Sequence, residues 1–131
     1  MVNVSEKAGY AVFHTQITIA NGQTISDIAD LERPYAFIGI ASADLTGVNA
    51  ANMTARVGIQ DNTALFDLYE ANDPATVWSV APPDGANATM YFILSHAMGA
   101  RFIELTLSAI TTAAVTFDIF GIDQAVESLM S

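Results

Sequence analysis

Two histidines, fourteen carboxylates and one tryptophan are the side chains from which any reactive or binding site of this 131-residue sequence would have to be built. Acyl transfer on a Ser-His-Asp arrangement would need His14 or His96 within reach of a nucleophile and an orienting acid, and the spacing around neither carries that information. His14 reads as a solvent-facing strand residue and His96 as a turn residue. There is no G-x-S-x-G, Walker loop, G-x-G-x-x-G or H-E-x-x-H. With no cysteine there is no thiol nucleophile and no thiolate metal site. The acids cluster as Asp27, Asp30 and Glu32, and again as Asp67, Glu70 and Asp73. A loop bearing Glu70, Asn72 and Asp73 offers oxygens to a hard cation, but its spacing is not that of an EF-hand. In a chain with one lysine these acids read as the solubilising charge of the surface. Paired carboxylates for glycoside hydrolysis would need a cleft with aromatic and amide side chains beside them. Trp78 near Tyr69 is the one candidate sugar-stacking platform, and a lone Trp next to a short apolar strand reads more readily as core. The expectation is a protein that is not an enzyme and has no cofactor and no resident metal.

The elements that would carry these residues are strands. Residues 11–19 alternate, with Ala11, Phe13, Ile17 and Ile19 on one side and His14, Gln16 and Thr18 on the other. Asn21-Gly22 turns the chain, residues 25–32 read as a helical turn or a second short strand, and residues 35–41 (YAFIGIA) read as a buried strand with Gly39 at a close approach or a bulge. Residues 42–52 read as a loop. Met53, Ala55, Val57 and Ile59 alternate with polar residues and lead through Asp61-Asn62 into a short strand over 65–69, a hairpin signature. A short strand surrounds Trp78, Pro82-Pro83-Asp84-Gly85 breaks the chain, and Met90, Phe92 and Leu94 alternate again. Residues 101–108 are expected to pair with 115–122 across 109–113. About eight short strands with little helix predict an all-β fold, an antiparallel, jelly-roll-like β-sandwich. Residues 1–9 read as an N-terminal arm, 10–123 as a single sandwich domain, and 124–131 as a short helix or a tail. The expected core comprises Phe13, Ile17, Ile38, Ile40, Val57, Ile59, Phe92, Leu94, Ile103, Leu105, Phe117 and Ile119.

Composition narrows the partners. Four basic residues against fourteen acids, a formal charge of −10, leave no cluster of Lys and Arg to displace counterions from a phosphate backbone or an anionic membrane. No run of about 20 apolar residues would span a bilayer, and the first residues read as no secretory signal. Yet 52 % of the residues are hydrophobic and only 14 % charged, a balance that points to surface covered by another subunit.

The segment Ala100-Arg101-Phe102-Ile103-Glu104-Leu105-Thr106-Leu107-Ser108, the small Ala/Thr loop after it, and Val115-Thr116-Phe117-Asp118-Ile119-Phe120-Gly121 resemble the closing hairpin of β-sandwich structural proteins of tailed-phage virions. The turn at Ile19-Ala20-Asn21-Gly22-Gln23-Thr24-Ile25-Ser26, the Phe37-Ile38-Gly39-Ile40 strand and the Thr54-Ala55-Arg56-Val57-Gly58-Ile59-Gln60 strand are similar to the same plan. The position after Phe-Ile is often basic in that family, whereas Glu104 stands here. The resemblance implies a noncatalytic virion part, made in the host cytoplasm, that works by assembly with itself and with other virion proteins. Capsid decoration or cement is the foremost role, a neck or tail component another, and a trimer is favoured on fold analogy. The alternative is a carbohydrate-binding module of a fibre or tail protein.

The expected hairpin also locates an interface. If Ile103, Leu105 and Leu107 face the core beside Ile119, Phe117 and Val115, then Phe102 lies across from Phe120 and Glu104 across from Asp118 on the other face. Paired aromatics and paired like charges would both be relieved by a second subunit that covers the rings and sets Arg56 or Arg101 near the acids. The alternative cover is the chain's own loop 42–52 or a terminal arm.

Overall fold

The computed structural model describes residues 10–83, 87–94, 97 and 99–124. Ten strands run through them: β1 (Tyr10–Ile19), β2 (Ala29–Asp30), β3 (Phe37–Ser42), β4 (Met53–Gly58), β5 (Phe66–Asp67), β6 (Tyr69–Glu70), β7 (Asp73–Val77), β8 (Met90–Leu94), β9 (Phe102–Leu107) and β10 (Val115–Gln124). Among the described residues there is no α-helix, and no helix long and apolar enough to cross a membrane. The all-β sandwich expected from the alternation is the observed fold.

Two four-stranded antiparallel sheets face each other, sheet I in the order β1-β10-β3-β8 and sheet II in the order β2-β9-β4-β5. The pairs β1 with β10, β2 with β9, β3 with β8, and β4 with β5 form one antiparallel ribbon. That ribbon is rolled so that β10 also meets β3 and β9 also meets β4. This is the strand order of a jelly roll. The β6–β7 hairpin is an insertion tied to β4, through Leu68 N–H to the Ala55 carbonyl and a bridge between Met53 and Val80.

The rolled order corrects the expected terminal hairpin. β9 and β10 are consecutive but lie in opposite sheets, joined by a connection over 108–114 that crosses the sandwich. Their apolar sets do point inward, Ile103, Leu105 and Leu107 from one sheet and Val115, Phe117 and Ile119 from the other, all at most 2 % exposed. Period-two alternation demands a core face and leaves open whether two strands share a sheet or oppose each other across the core. The Met53–Gln60 signature does lead into an antiparallel partner, with Arg56 opposite Asp67 and Val57 opposite Phe66.

Ile17, Ile38, Ile40, Leu94, Ile103, Leu105, Phe117 and Ile119 are buried as expected, and Phe13, Val57 and Phe92 are half-buried against them. Ile59 is the exception at 59 % exposure, because β4 ends at Gly58 and the chain turns outward. The loop 42–52 adds Leu45 and Val48 to the core and closes one end of the sandwich. Three loops are stitched there. Gly22 N–H bonds to Thr111, Thr112 N–H to the Gly47 carbonyl, and the buried Thr111 hydroxyl donates to the Ala20 carbonyl at 2.8 Å. Gly47 has φ +101°, and a Cβ there would stand 2.8 Å from the Ala113 backbone, so both conformation and space call for glycine.

Candidate interaction surface

The sandwich has two outer faces, and the four residues expected to share one interface are divided between them. Phe102 and Glu104 lie on the outer face of sheet II, Phe120 and Asp118 on that of sheet I. The cross-strand pairs Phe102–Phe120 and Glu104–Asp118 therefore do not form. Across from Phe102 stand Asp30 and Gly58, and across from Glu104 stands Arg56.

The outer face of sheet II is closed by the chain itself. The Arg101 guanidinium donates twice to the Asp30 carboxylate, at 2.8 and 3.0 Å, and lies 4.8 Å from the centre of the Phe102 ring. Phe102 is left 5 % exposed. Arg56 sits 3.6 Å from Glu104 and 3.9 Å from Asp67 and donates to the Leu65 carbonyl. The two arginines expected from a second subunit are thus supplied from within one chain, and Glu104 is buried beside one of them.

Sheet I presents a different face. Reading across the strands, one row runs Val12, Ile122, Phe37; the next His14, Phe120, Gly39, Ile93; the next Gln16, Asp118, Ala41, Tyr91. Gly39 sits low in this surface with Phe120 and Ile122 leaning over it, 3.5 Å from where a Cβ would be, which is the close approach read at this glycine. Val12, Tyr91 and Ile93 are about half exposed or more. On the outward positions of these strands Asp118 is the one carboxylate and no Lys or Arg is present, the other polar side chains being His14, Gln16, Thr18 and Thr116 among the described residues. Asp118 brings its own donors: Gln16 Nε2 donates at 2.8 Å and the His14 ring lies 2.9 Å away, stacked on Phe120 at 4.9 Å. Gln16 first, then His14, holds the Asp118 carboxyl below the usual carboxylate range, against the opposing effect of its partial burial. At the loop end the face is bordered by a cleft of about 430 Å³ with mixed walls, Gln16, Asp44, Thr46, Thr116 and Asp118 alternating with Ala43, Ala113 and Ala114.

The remaining candidates are placed elsewhere. Trp78 is 8 % exposed and packs on Phe92 at 5.5 Å, so it belongs to the core and offers no stacking platform, while Tyr69 is exposed on its own strand. Asp73 accepts from Ala75 N–H and the Thr76 hydroxyl, Asp44 from Thr46 N–H and Asp61 from Thr63 N–H, each acid closing its own turn. Among the described residues no three His, Asp or Glu side chains converge as metal ligands. His96, residues 1–9 and residues 125–131 lie outside the described residues. The apolar face of sheet I was open to sequence reasoning only through Phe120 and Asp118. Tyr91 and Ile93 alternate with Phe92 and Leu94, but nothing in the chain says that β8 joins β10 through β3.

No protein-family model matches the chain, and no curated protein matches it. Among solved structures it is similar to part of an IMPa metallopeptidase in complex with T-antigen, with 15 % identity, a TM-score of 0.36, and coverage of 91 % of this chain and 14 % of that one. It is also similar to a protein of Bacillus endospore appendages, with 10 % identity, a TM-score of 0.32, and coverage of 95 % and 97 %. A third is the virus-like particle of the giant freshwater prawn Macrobrachium rosenbergii extra small virus, with 16 % identity, a TM-score of 0.27, and coverage of 95 % and 84 %. At these TM-scores the likenesses carry no functional argument.

Proposed function

We propose that the protein is a noncatalytic structural subunit of a phage virion, a capsid decoration or cement protein that acts by homo-oligomeric assembly on the particle. The observation that supports assembly is the outer face of sheet I, where Val12, Phe37, Tyr91, Ile93, Phe120 and Ile122 stand with a single carboxylate, Asp118, on a chain whose formal charge is −10. Soluble monomers rarely leave such a patch uncovered, and depletion of charge with enrichment of aromatics is the composition of an interface core. The virion setting rests on the resemblance of the strand motifs to tailed-phage structural proteins. A carbohydrate-binding module remains the competing use of the same fold, since fold alone does not select function. The burial of Trp78 removes its best-placed aromatic.

Light scattering of the purified protein at micromolar concentration, combined with cosedimentation on virus particles, tests the proposal. Expected are one defined oligomer and retention on particles, with no turnover on a hydrolase panel. Heat on titration with oligosaccharides, lost on substitution of Gln16 or Asp44 at the cleft, would put the sugar-binding reading first.

A further inference from the structure

The charge distribution identifies what covers sheet I. Resting on the assembly reading above, we infer that its outer face binds the same face of a second copy of this chain, sheet against sheet about a two-fold axis.

Most other exposed apolar side chains stand among acids: Ile25 and Ile28 beside Asp27, and Ile59 and Phe66 beside Asp61 and Asp67. Pressing sheet I on either would strip water from carboxylates with no cation opposite, which is costly. Ile110 is the exception, a single side chain on the 108–114 connection and too small to cover a four-stranded face. The described arginines are already engaged, Arg33 with Asp123 at 2.7 Å, Arg56 with Glu104 and Asp67, and Arg101 with Asp30. Against itself, the face meets apolar side chains with apolar side chains, and its polar groups are already paired within the sheet, Asp118 with Gln16 and His14 and Thr18 with Thr116 at 3.2 Å. A basic partner selected by charge would dock on the acids elsewhere and leave this face open. Contact of one patch with its own copy is by geometry two-fold.

The size is at the lower limit for a specific contact. Four strands about 4.8 Å apart, two of ten residues, one of six and one of five, at about 3.3 Å per residue make a face on the order of 500 Å². Two such faces bury about 1,000 Å² together, the least that a specific interface is expected to bury.

Sedimentation equilibrium of the full chain, with the pair Tyr91→Lys and Ile93→Lys and the control Phe66→Lys, tests the inference. All three positions are exposed, and circular dichroism verifies that the β signal is kept. The wild type is expected to be dimeric, the double variant to dissociate at least tenfold more readily, and the control to behave as wild type. Raising salt from about 0.1 to 1 M, which shortens the screening length from about 10 to about 3 Å, is expected to tighten the dimer, because two acidic chains repel each other outside the contact. Weakening by salt would overturn the inference in favour of a contact held by charge. A trimer, or an oligomer broken by Phe66→Lys but not by the lysine pair, overturns the inference and leaves the assembly reading standing. A wild type that is monomeric at about 100 µM but still cosediments with particles does the same. Failure of both self-association and cosedimentation overturns both.

Discussion

At Gly121 a single methyl group is decisive. A Cβ there would collide with Cδ2 of the Tyr35 ring, and the ring has little freedom to yield. Arg33 lies 4.0 Å above its centre, Phe13 packs on it at 6.4 Å, and the Asp123 carboxylate holds both Arg33 and the Ala36 amide. Gly121→Ala is expected to destabilise by about 1 to 3 kcal/mol, the range for overpacking a closed site, read as a lower urea midpoint with unchanged slope. Phe117→Ala, at a fully buried ring in the middle of sheet I, is expected to cost about 3 to 5 kcal/mol by the same measurement. The two positions differ in legibility. Phe117 follows from alternation alone, whereas the need for glycine at 121 depends on a ring whose segment docks from far along the chain. The acids are a middle case. Asp73, read with Asp67 and Glu70 as solubilising charge, is at the surface but also holds its own turn through the Ala75 amide, as Asp44 and Asp61 do through those of Thr46 and Thr63.

The elements show where periodicity stops being informative. The positions of β3, β4, β8, β9 and β10 and their inward residues were legible, because a buried face imposes period two on any strand. Partnership was not, since β9 and β10 alternate equally well as a hairpin or as opposing strands. The connection between them holds the deciding residue, Thr111, which is 2 % exposed and bonds to the Ala20 carbonyl and the Gly22 amide. A reversing hairpin loop would have left that hydroxyl in water. Thr111→Val keeps the shape and removes the hydroxyl's bonds, while the Gly22 amide keeps the Thr111 carbonyl and the Ala20 carbonyl keeps the Gln23 amide. A loss of about 0.5 to 1.5 kcal/mol is expected, read as a lower urea midpoint.

On the scale of the whole molecule, charge sets the response to acid. The carboxyls of Asp30, Asp44, Asp61, Asp73 and Asp118 all lie below the usual carboxylate range. They are held there chiefly by Arg101, the Thr46 side chain, the Thr63 amide, the Thr76 side chain and Gln16 respectively. The unfolded chain therefore binds protons more readily than the folded one. The stability these groups contribute is present above their unfolded values near 4 and is lost as pH falls through the lower folded values. The urea midpoint is expected to hold from pH 7 to about 5 and to fall steeply below about 4. Composition made the acid excess legible, but not that these acids would be tied to amides and hydroxyls, which only the folded loops bring within reach. The rolled ribbon has a further, mechanical consequence. Tyr10 and Gln124 are register partners at one end of the β1–β10 pair, so a pull on the two ends of the domain acts across that pair and not along it. Load then falls on one pair of residues at a time, and β1 should peel from β10 like a zipper, at far lower force than ten pairs sheared together would bear. Single-molecule stretching between these two residues would record early, low-force opening, and clamping sheet I against another surface would raise that force.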